Sequence, residues 1–376
     1  MLVLPVRLAS SSFSKTFPHE IALFDTTRLL EIISGRRNDV ASRCIRGILG
    51  LLTPLYRIGF WFKNRKFDAG TAEIAKVDVP VISIGNITTG GTGKTPMVVW
   101  LCRKLRERNL RVAIVSRGYG RENTGMGRND EALELEHRLP DVPHLQDPDR
   151  ARMAETAVYE LESEVIVLDD GFQHRKLHRD FDLVLIDATQ PFGFGRVLPR
   201  GLLREPLSNL KRADAIVLTR SQFVDEQEEE RIHQQIKKFA PQARWAACKT
   251  TPRSFLQYSG KETGLESLRE QRVLAFCAVG NPKGFELTLN ELRVNVADRL
   301  DFPDHHGFSK DDISNLADRA NTLNVEALVC THKDLVKIGV DRIGNLPVYA
   351  LLIDLEFEHG ENELLDSLES VCDARS

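Results

Sequence analysis

Residues 79–95 read VPVISIGNITTGGTGKT and run on into PMVVWLCRKLRER at 96–108. A short apolar run ends at Gly85-Asn86, a glycine-rich loop follows, and the next stretch has helical spacing with a basic last turn. That order is strand, loop, helix. Such a loop turns successive backbone N–H groups onto phosphate oxygens at a helix N-terminus. Gly90, Gly91, Thr92 and Gly93 form the cradle, Lys94 is placed to neutralise the β- and γ-phosphates, and the Thr95 hydroxyl is placed to ligate Mg²⁺. The strict G-x-x-x-x-G-K-[ST] pattern has glycine six residues before the lysine, where Thr88 stands here. The three glycines after it supply the freedom instead.

An enzyme built on this loop needs an acid at the end of a neighbouring buried strand, near the metal. EVIVLDD (164–170) meets that need: Asp169 and Asp170 close four apolar residues, and Gly171 permits a sharp turn after them. DLVLID (182–187) and DAIVLT (214–219) also end in polar residues, so it is the pairing of aspartates downstream of the loop that is informative. His174 and His178 stand four apart but lack further ligands at zinc-like spacing.

Working outward, apolar strand candidates at 79–84, 111–116, 164–169, 182–187, 214–219, 273–279, 326–331 and 347–353 alternate with helical stretches at 95–108, 148–162, 225–240, 283–293, 309–321 and 361–370. This predicts an α/β fold, a mostly parallel sheet flanked by helices with its ligand crevice at the carboxyl ends of the strands. Residues 241–271 lack clear periodicity, so the expected boundary separates a P-loop lobe (69–250) from a second, smaller α/β lobe (251–376).

The chain has 376 residues, 51 Lys plus Arg against 54 Asp plus Glu, and a net charge of −3, which gives no global case for nucleic-acid binding. Its six scattered cysteines form no C-x-x-C pair and suit a reducing compartment. Residues 1–38 read as a loosely ordered extension without the features of a secretory signal. Residues 39–68 read as an amphipathic helix. Between Arg36 and Lys66 lie eight basic residues and one acid, and Ile48, Leu52, Leu55, Phe60, Trp61 and Phe62 lie among them. Arg46 and Arg57 interrupt the apolar run too often for a membrane span, so the pattern predicts a helix lying in an anionic membrane interface. The other reading packs the same apolar face on the protein's own core.

Further motifs complete the pattern: SRGYGR (116–121), NDEALEL (129–135), LDDGFQH (168–174), DATQPFGFGRVLPRGLLREP (187–206), LKRADAIVLTR (210–220), DFPDHHGFSKDD (301–312) and THKD (331–334). With GNITTGGTGKT they closely resemble the tetraacyldisaccharide 4′-kinase family, over about residues 40 to 350. The resemblance implies transfer of the ATP γ-phosphate, with Mg²⁺, to the 4′-hydroxyl of an acylated glucosamine disaccharide 1-phosphate at the cytoplasmic face of the bacterial inner membrane. It implies that Lys94 and Thr95 hold phosphates and metal and that Asp169 and Asp170 organise the metal. Asp130 would be the base that takes the hydroxyl proton, supported by His305, and Glu205 of LLREP is counted with the metal group. Asn129 replaces the family's glycine before Asp130. Arg196, Arg200 and Arg204 are candidates for the anionic headgroup, because guanidinium forks suit phosphate. The implied partners are the lipid substrate and an anionic membrane surface, with no nucleic acid and no protein partner evident.

Rival classes leave different marks. A membrane-associated P-loop switch of the deviant type carries a lysine just before the two glycines, where Thr89 stands; THKD lacks the residue between Lys333 and Asp334 that a guanine-reading Asn-Lys-x-Asp needs. A soluble small-molecule kinase leaves the basic apolar helix without a purpose.

Overall fold

A computed structural model describes residues 26–118, 130–280, 282–303 and 306–375. In chain order the elements are α1 (Thr26–Ser34), α2 (Val40–Asp68), β1 (Val81–Asn86), α3 (Lys94–Glu107), β2 (Val112–Ser116), α4 (Asp130–Arg138), β3 (His144–Gln146), α5 (Arg150–Tyr159), β4 (Val165–Asp169), β5 (Phe181–Asp187), β6 (Ala215–Thr219), α6 (Glu226–Lys237), β7 (Arg244–Leu256), β8 (Glu262–Thr263), β9 (Arg272–Cys277), α7 (Pro282–Glu291), β10 (Asn295–Asp301), α8 (Lys310–Thr322), β11 (Ala327–Thr331), α9 (His332–Ile338), β12 (Arg342–Ile343), β13 (Leu346–His359) and α10 (Glu361–Asp373).

The quoted stretch folds as its pattern predicts. β1 is buried at every residue because it lies mid-sheet with helices on both faces, which is why it reads as a continuous apolar run. The sheet order is β10-β9-β11-β13-β7-β6-β5-β1-β4-β2-β3, parallel along this path except between β13 and β7. Asp169, the last residue of β4, pairs in register with Ile84 of β1, so the twin aspartates emerge beside the glycine loop.

The expected lobe boundary at residue 250 falls inside β7. This strand pairs parallel with β6 through Arg244–Cys248 and antiparallel with β13 through Ala247–Leu256. The apolar cores on either side of β7 therefore share one sheet. One core has Ile82, Met97, Leu101 and Val167; another has Leu274, Phe276, Leu328 and Val348. The chain also returns: Leu364 and Leu368 of α10 are buried in the first core, so the last residues assigned by sequence to the second lobe pack on the P-loop lobe. β7 hid from periodicity because its two halves lie between different neighbours, and half-buried Lys249 to Pro252 interrupt its apolar pattern.

α2 begins one residue after Asp39, whose side chain caps it by accepting from the Ser42 N–H, and it ends with Arg65 and Lys66 in its last turn. Part of the expected loose extension is helical: α1 buries Ile32 and Ile33, and Arg46 of α2 donates to the carbonyls of Ile32 and Arg37. Among the described residues no helix is long and apolar enough to cross a membrane. The apolar stripe of α2 is not packed on the core: Ile48, Leu51, Leu55, Ile58 and Phe62 are all more than half exposed. The helix is fastened to the protein along a different line, by the Tyr56 hydroxyl donating to the Arg204 carbonyl at 2.7 Å and by an ion pair between Arg175 and Asp68.

Candidate active site

The loop between β1 and α3 is closed by Gly93 at φ 83°, with Gly90 at φ 109°, conformations that suit glycine. Its base is fixed by buried polar contacts. Asn86 donates from Nδ2 to the Thr88 carbonyl and to the Thr92 hydroxyl, both at 2.9 Å, and Thr219 at the end of β6 donates to the Thr92 carbonyl at 3.0 Å. Thr88, which replaces the usual glycine, is buried and its neighbour Thr89 donates its N–H to the Leu202 carbonyl at 2.8 Å. The loop is thus held from the 187–206 segment on one side and from β6 on the other.

Lys94, the first residue of α3, lies 3.5 Å from Asp170, and Arg204 reaches both oxygens of that carboxylate at 2.9 Å. Arg150 donates to the Asp170 carbonyl at 2.9 Å, which secures a residue held at φ 51°. Burial alone would raise the Asp170 pKa, but Lys94 and Arg204 outweigh it and hold the carboxyl below its usual range. Asp169 is different. Burial, with the nearby carboxylates of Glu131 and Asp170, pushes it up to about 7 against the pull of Lys94. Among the described residues its Oδ1 is buried without a hydrogen-bond partner. A hard divalent cation at this oxygen would repay the burial, because Mg²⁺ takes one or two carboxylates and otherwise keeps water and phosphate oxygens. The site fits that ion. Among the described residues no group of three or more His, Cys, Asp or Glu could hold a metal by itself. Burial holds His174 neutral, with its pKa lowered to about 4.

Glu205, expected with the metal group, is buried beside the root of the glycine loop. Its side chain is 0% exposed, and its carboxylate accepts from Gln173 at 2.6 Å, Asn209 at 2.8 Å and Arg212 at 2.9 Å. Oε1 takes one of these hydrogen bonds and Oε2 the other two. Glu205 fixes Gln173, which also donates to the Asn86 carbonyl at 2.8 Å at the root of the glycine loop. Arg204 is turned to Asp170, and Arg200 donates to the Ile33 carbonyl of α1 at 2.9 Å, so of the three arginines Arg196 alone is exposed. Asp130 opens α4; its side chain and the whole of His305 lie outside the described residues. Glu131, in the first turn of α4, contributes to raising the Asp169 pKa. Sequence reasoning passed over Arg150, Gln173 and Asn86, since a polar residue in a helix, in a loop or at a strand end carries no signal until a partner is known.

A glycine loop at the carboxyl end of a central parallel strand, a lysine opening the next helix, and a buried, unpartnered carboxylate on the adjacent strand define a P-loop nucleotide-dependent enzyme. Residues 45–372 match the model of the tetraacyldisaccharide-1-P 4′-kinases. A tetraacyldisaccharide 4′-kinase of Halothermothrix orenii is 32% identical over 361 residues, covering 88% of this chain and 94% of that protein. One from Anaeromyxobacter sp. strain Fw109-5 is 37% identical over 354 residues, with 89% and 94% covered. The crystal structure of Aquifex aeolicus LpxK in complex with ATP aligns with a TM-score of 0.69 at 31% identity, covering 87% of this chain and 99% of that one. The chain belongs to the tetraacyldisaccharide-1-P 4′-kinase family, and its activity is that of a kinase of lipid A biosynthesis.

Proposed function

We propose that the chain phosphorylates its acylated disaccharide at an anionic membrane surface on the cytoplasmic side, with the residues of the β1–α3 loop and the end of β4 serving the nucleotide and Asp130 with His305 serving the acceptor. The observation that carries the nucleotide half is the buried, unpartnered Asp169 Oδ1 beside Lys94 and the glycine loop. Mg-ATP supplies the phosphoryl group and the metal's neutralising charge; Gly90 to Gly93 and Lys94 would cradle its phosphates, and Thr95 and Asp169 would hold the metal. Asp170 holds Lys94 and Arg204 at the mouth of the loop, so two cations stand ready where charge spreads over the transferring oxygens. An aspartate within hydrogen-bond reach of the acceptor hydroxyl suffices as base, since the proton leaves only as the new P–O bond forms, and a histidine beside it fixes its orientation.

The exposed stripe of α2 supports the membrane half. Ile48, Leu51, Leu55 and Phe62 would enter the interface while Arg43 and Arg57 meet anionic headgroups. Tyr56 ties this helix to the Arg204 backbone, which keeps the acceptor's membrane close to the phosphoryl donor. The test is transfer from labelled ATP to the lipid disaccharide, with a lipid-free control. Lys94→Ala and Asp170→Ala should each reduce turnover by about 10³-fold or more, the scale on which transition-state charge stabilisation is lost. Turnover at the wild-type rate in either variant removes this assignment of the phosphate site, and hydrolysis of ATP without lipid phosphorylation favours the switch reading.

A further inference from the structure

The THKD stretch, which does not match a guanine-reading motif, caps and begins α9, where His332 and Asp334 are buried. Thr331 caps the helix and donates from Oγ1 to Asp334 at 2.6 Å, and Asp334, 0% exposed, also accepts the Ala278 N–H at 3.1 Å. Lys337, one turn on, lies 3.8 Å from the other Asp334 oxygen and donates to the His306 carbonyl at 3.1 Å. The opposite end of the helix meets α4. His332 is buried, its Nε2 lies 3.1 Å from His137 Nδ1, and its Nδ1 lies 3.6 Å from Glu134. The His137 ring places its Nε2 3.2 Å from the Tyr258 carbonyl, which can only accept. Nε2–H is therefore on that side, Nδ1 of His137 accepts, and His332 Nε2 is the donor between the rings.

A buried ion pair such as Asp334–Lys337 gains about as much as its desolvation costs, and an apolar pair would stabilise the core as well. What an apolar pair could not supply is a donor aimed at one backbone carbonyl. We infer that α9 is the positioning element of the acceptor side: Lys337 sets the backbone at His306, the residue after His305, and His332 sets α4, which begins at Asp130. This rests on the assignment of Asp130 and His305 as the proton-abstracting pair. His332, Asp334 and Lys337 touch neither nucleotide nor acceptor in it; they act by holding the elements that do.

The experiment is steady-state transfer from ATP to the lipid disaccharide by the full chain. Lys337→Met and His332→Phe should lower kcat roughly 10–10²-fold, the penalty of misplacing a reacting group by a fraction of an ångström to one ångström, with the KM for ATP changed less than about twofold. His332→Gln keeps a donor near the Nε2 position and should recover most of the rate. In Asp130→Asn and His305→Ala backgrounds the same changes should cost less than about threefold, since groups acting as a unit are not additive. Because Lys337→Met strands a buried carboxylate, Asp334→Asn/Lys337→Met is made in parallel; it removes both charges and should show the same loss of kcat at a urea midpoint near that of wild type. Wild-type kcat in that double variant, or additive losses in the two backgrounds, overturns the inference and leaves Asp130 and His305 in place. Full activity of Asp130→Asn and His305→Ala overturns both readings together.

Discussion

Glu205 offers the sharpest separation between a structural and a metal-binding role. Replacing it with alanine removes the carboxylate paired with Arg212, a guanidinium 16% exposed and stacked 4.4 Å over the Phe172 ring, and strands the amide donors of Gln173 and Asn209. Breaking one side of a buried pair costs about 3–5 kcal/mol, because the remaining charge stays buried without its counter-ion. Each stranded amide could add about 1–3 kcal/mol, less whatever water reaches it. We therefore expect Glu205→Ala to lose at least about 3 kcal/mol, read as a lowered urea midpoint with an unchanged m-value. Glu205→Gln/Arg212→Met, which removes both charges and keeps an acceptor for the amides, should recover more than half of that loss. Activity measured at a temperature where Glu205→Gln remains folded should show a raised KM for ATP, since Gln173 also holds the Asn86 carbonyl. The Mg²⁺ concentration for half-maximal rate should be unchanged. A variant with the wild-type urea midpoint that needs much more Mg²⁺ would refute this reasoning and return Glu205 to the metal.

At Gly85 an added Cβ would stand 2.6 Å from the Phe172 Cβ and 2.8 Å from its backbone nitrogen, so Gly85→Ala should destabilise by about 3 kcal/mol, the upper range of overpacking, and weaken ATP binding by parting the glycine loop from the aspartate turn. Of the six thiols, Cys44 is exposed and the others are buried, with burial pushing Cys248 and Cys277 up to about 12; a thiol reagent should consume one equivalent rapidly in the native protein and six in urea. Ile48→Ser/Leu52→Ser/Leu55→Ser should keep the wild-type urea midpoint, because all three side chains are exposed, while a fluorophore on Cys44 reports weaker binding to anionic vesicles. Arg43→Gln/Arg57→Gln should weaken vesicle binding more at low salt than at high salt; Arg46 is left intact because it holds the Ile32 and Arg37 carbonyls.

Legibility in the sequence followed the range of the forces involved. The strand, the glycine loop and the helix that begins at Lys94 were readable because their hydrogen bonds are local and their patterns are those of a buried strand and a half-buried helix. Asp39 as the start of α2 was equally local, a cap three residues from its donor. The twin aspartates were readable in position but not in state. Only the packing of β4 between β1 and β2 shows that Asp169 is buried and unpartnered while its neighbour is held by two cations.

Other features depended on contacts that no window of sequence contains. Arg204 meets an aspartate 34 residues away, and Glu205 is enclosed by Gln173, Asn209 and Arg212. Tyr56 finds its partner across 148 residues. The single sheet running through these cores was hidden for the same reason, since β7 changes neighbours midway and its pattern follows two environments in turn. Sequence by itself determined the elements and the chemistry of the glycine loop, because periodicity and turn geometry act between near neighbours. Tertiary structure decided which charges are paired, because desolvation and ion pairing depend on what the rest of the chain places around a group.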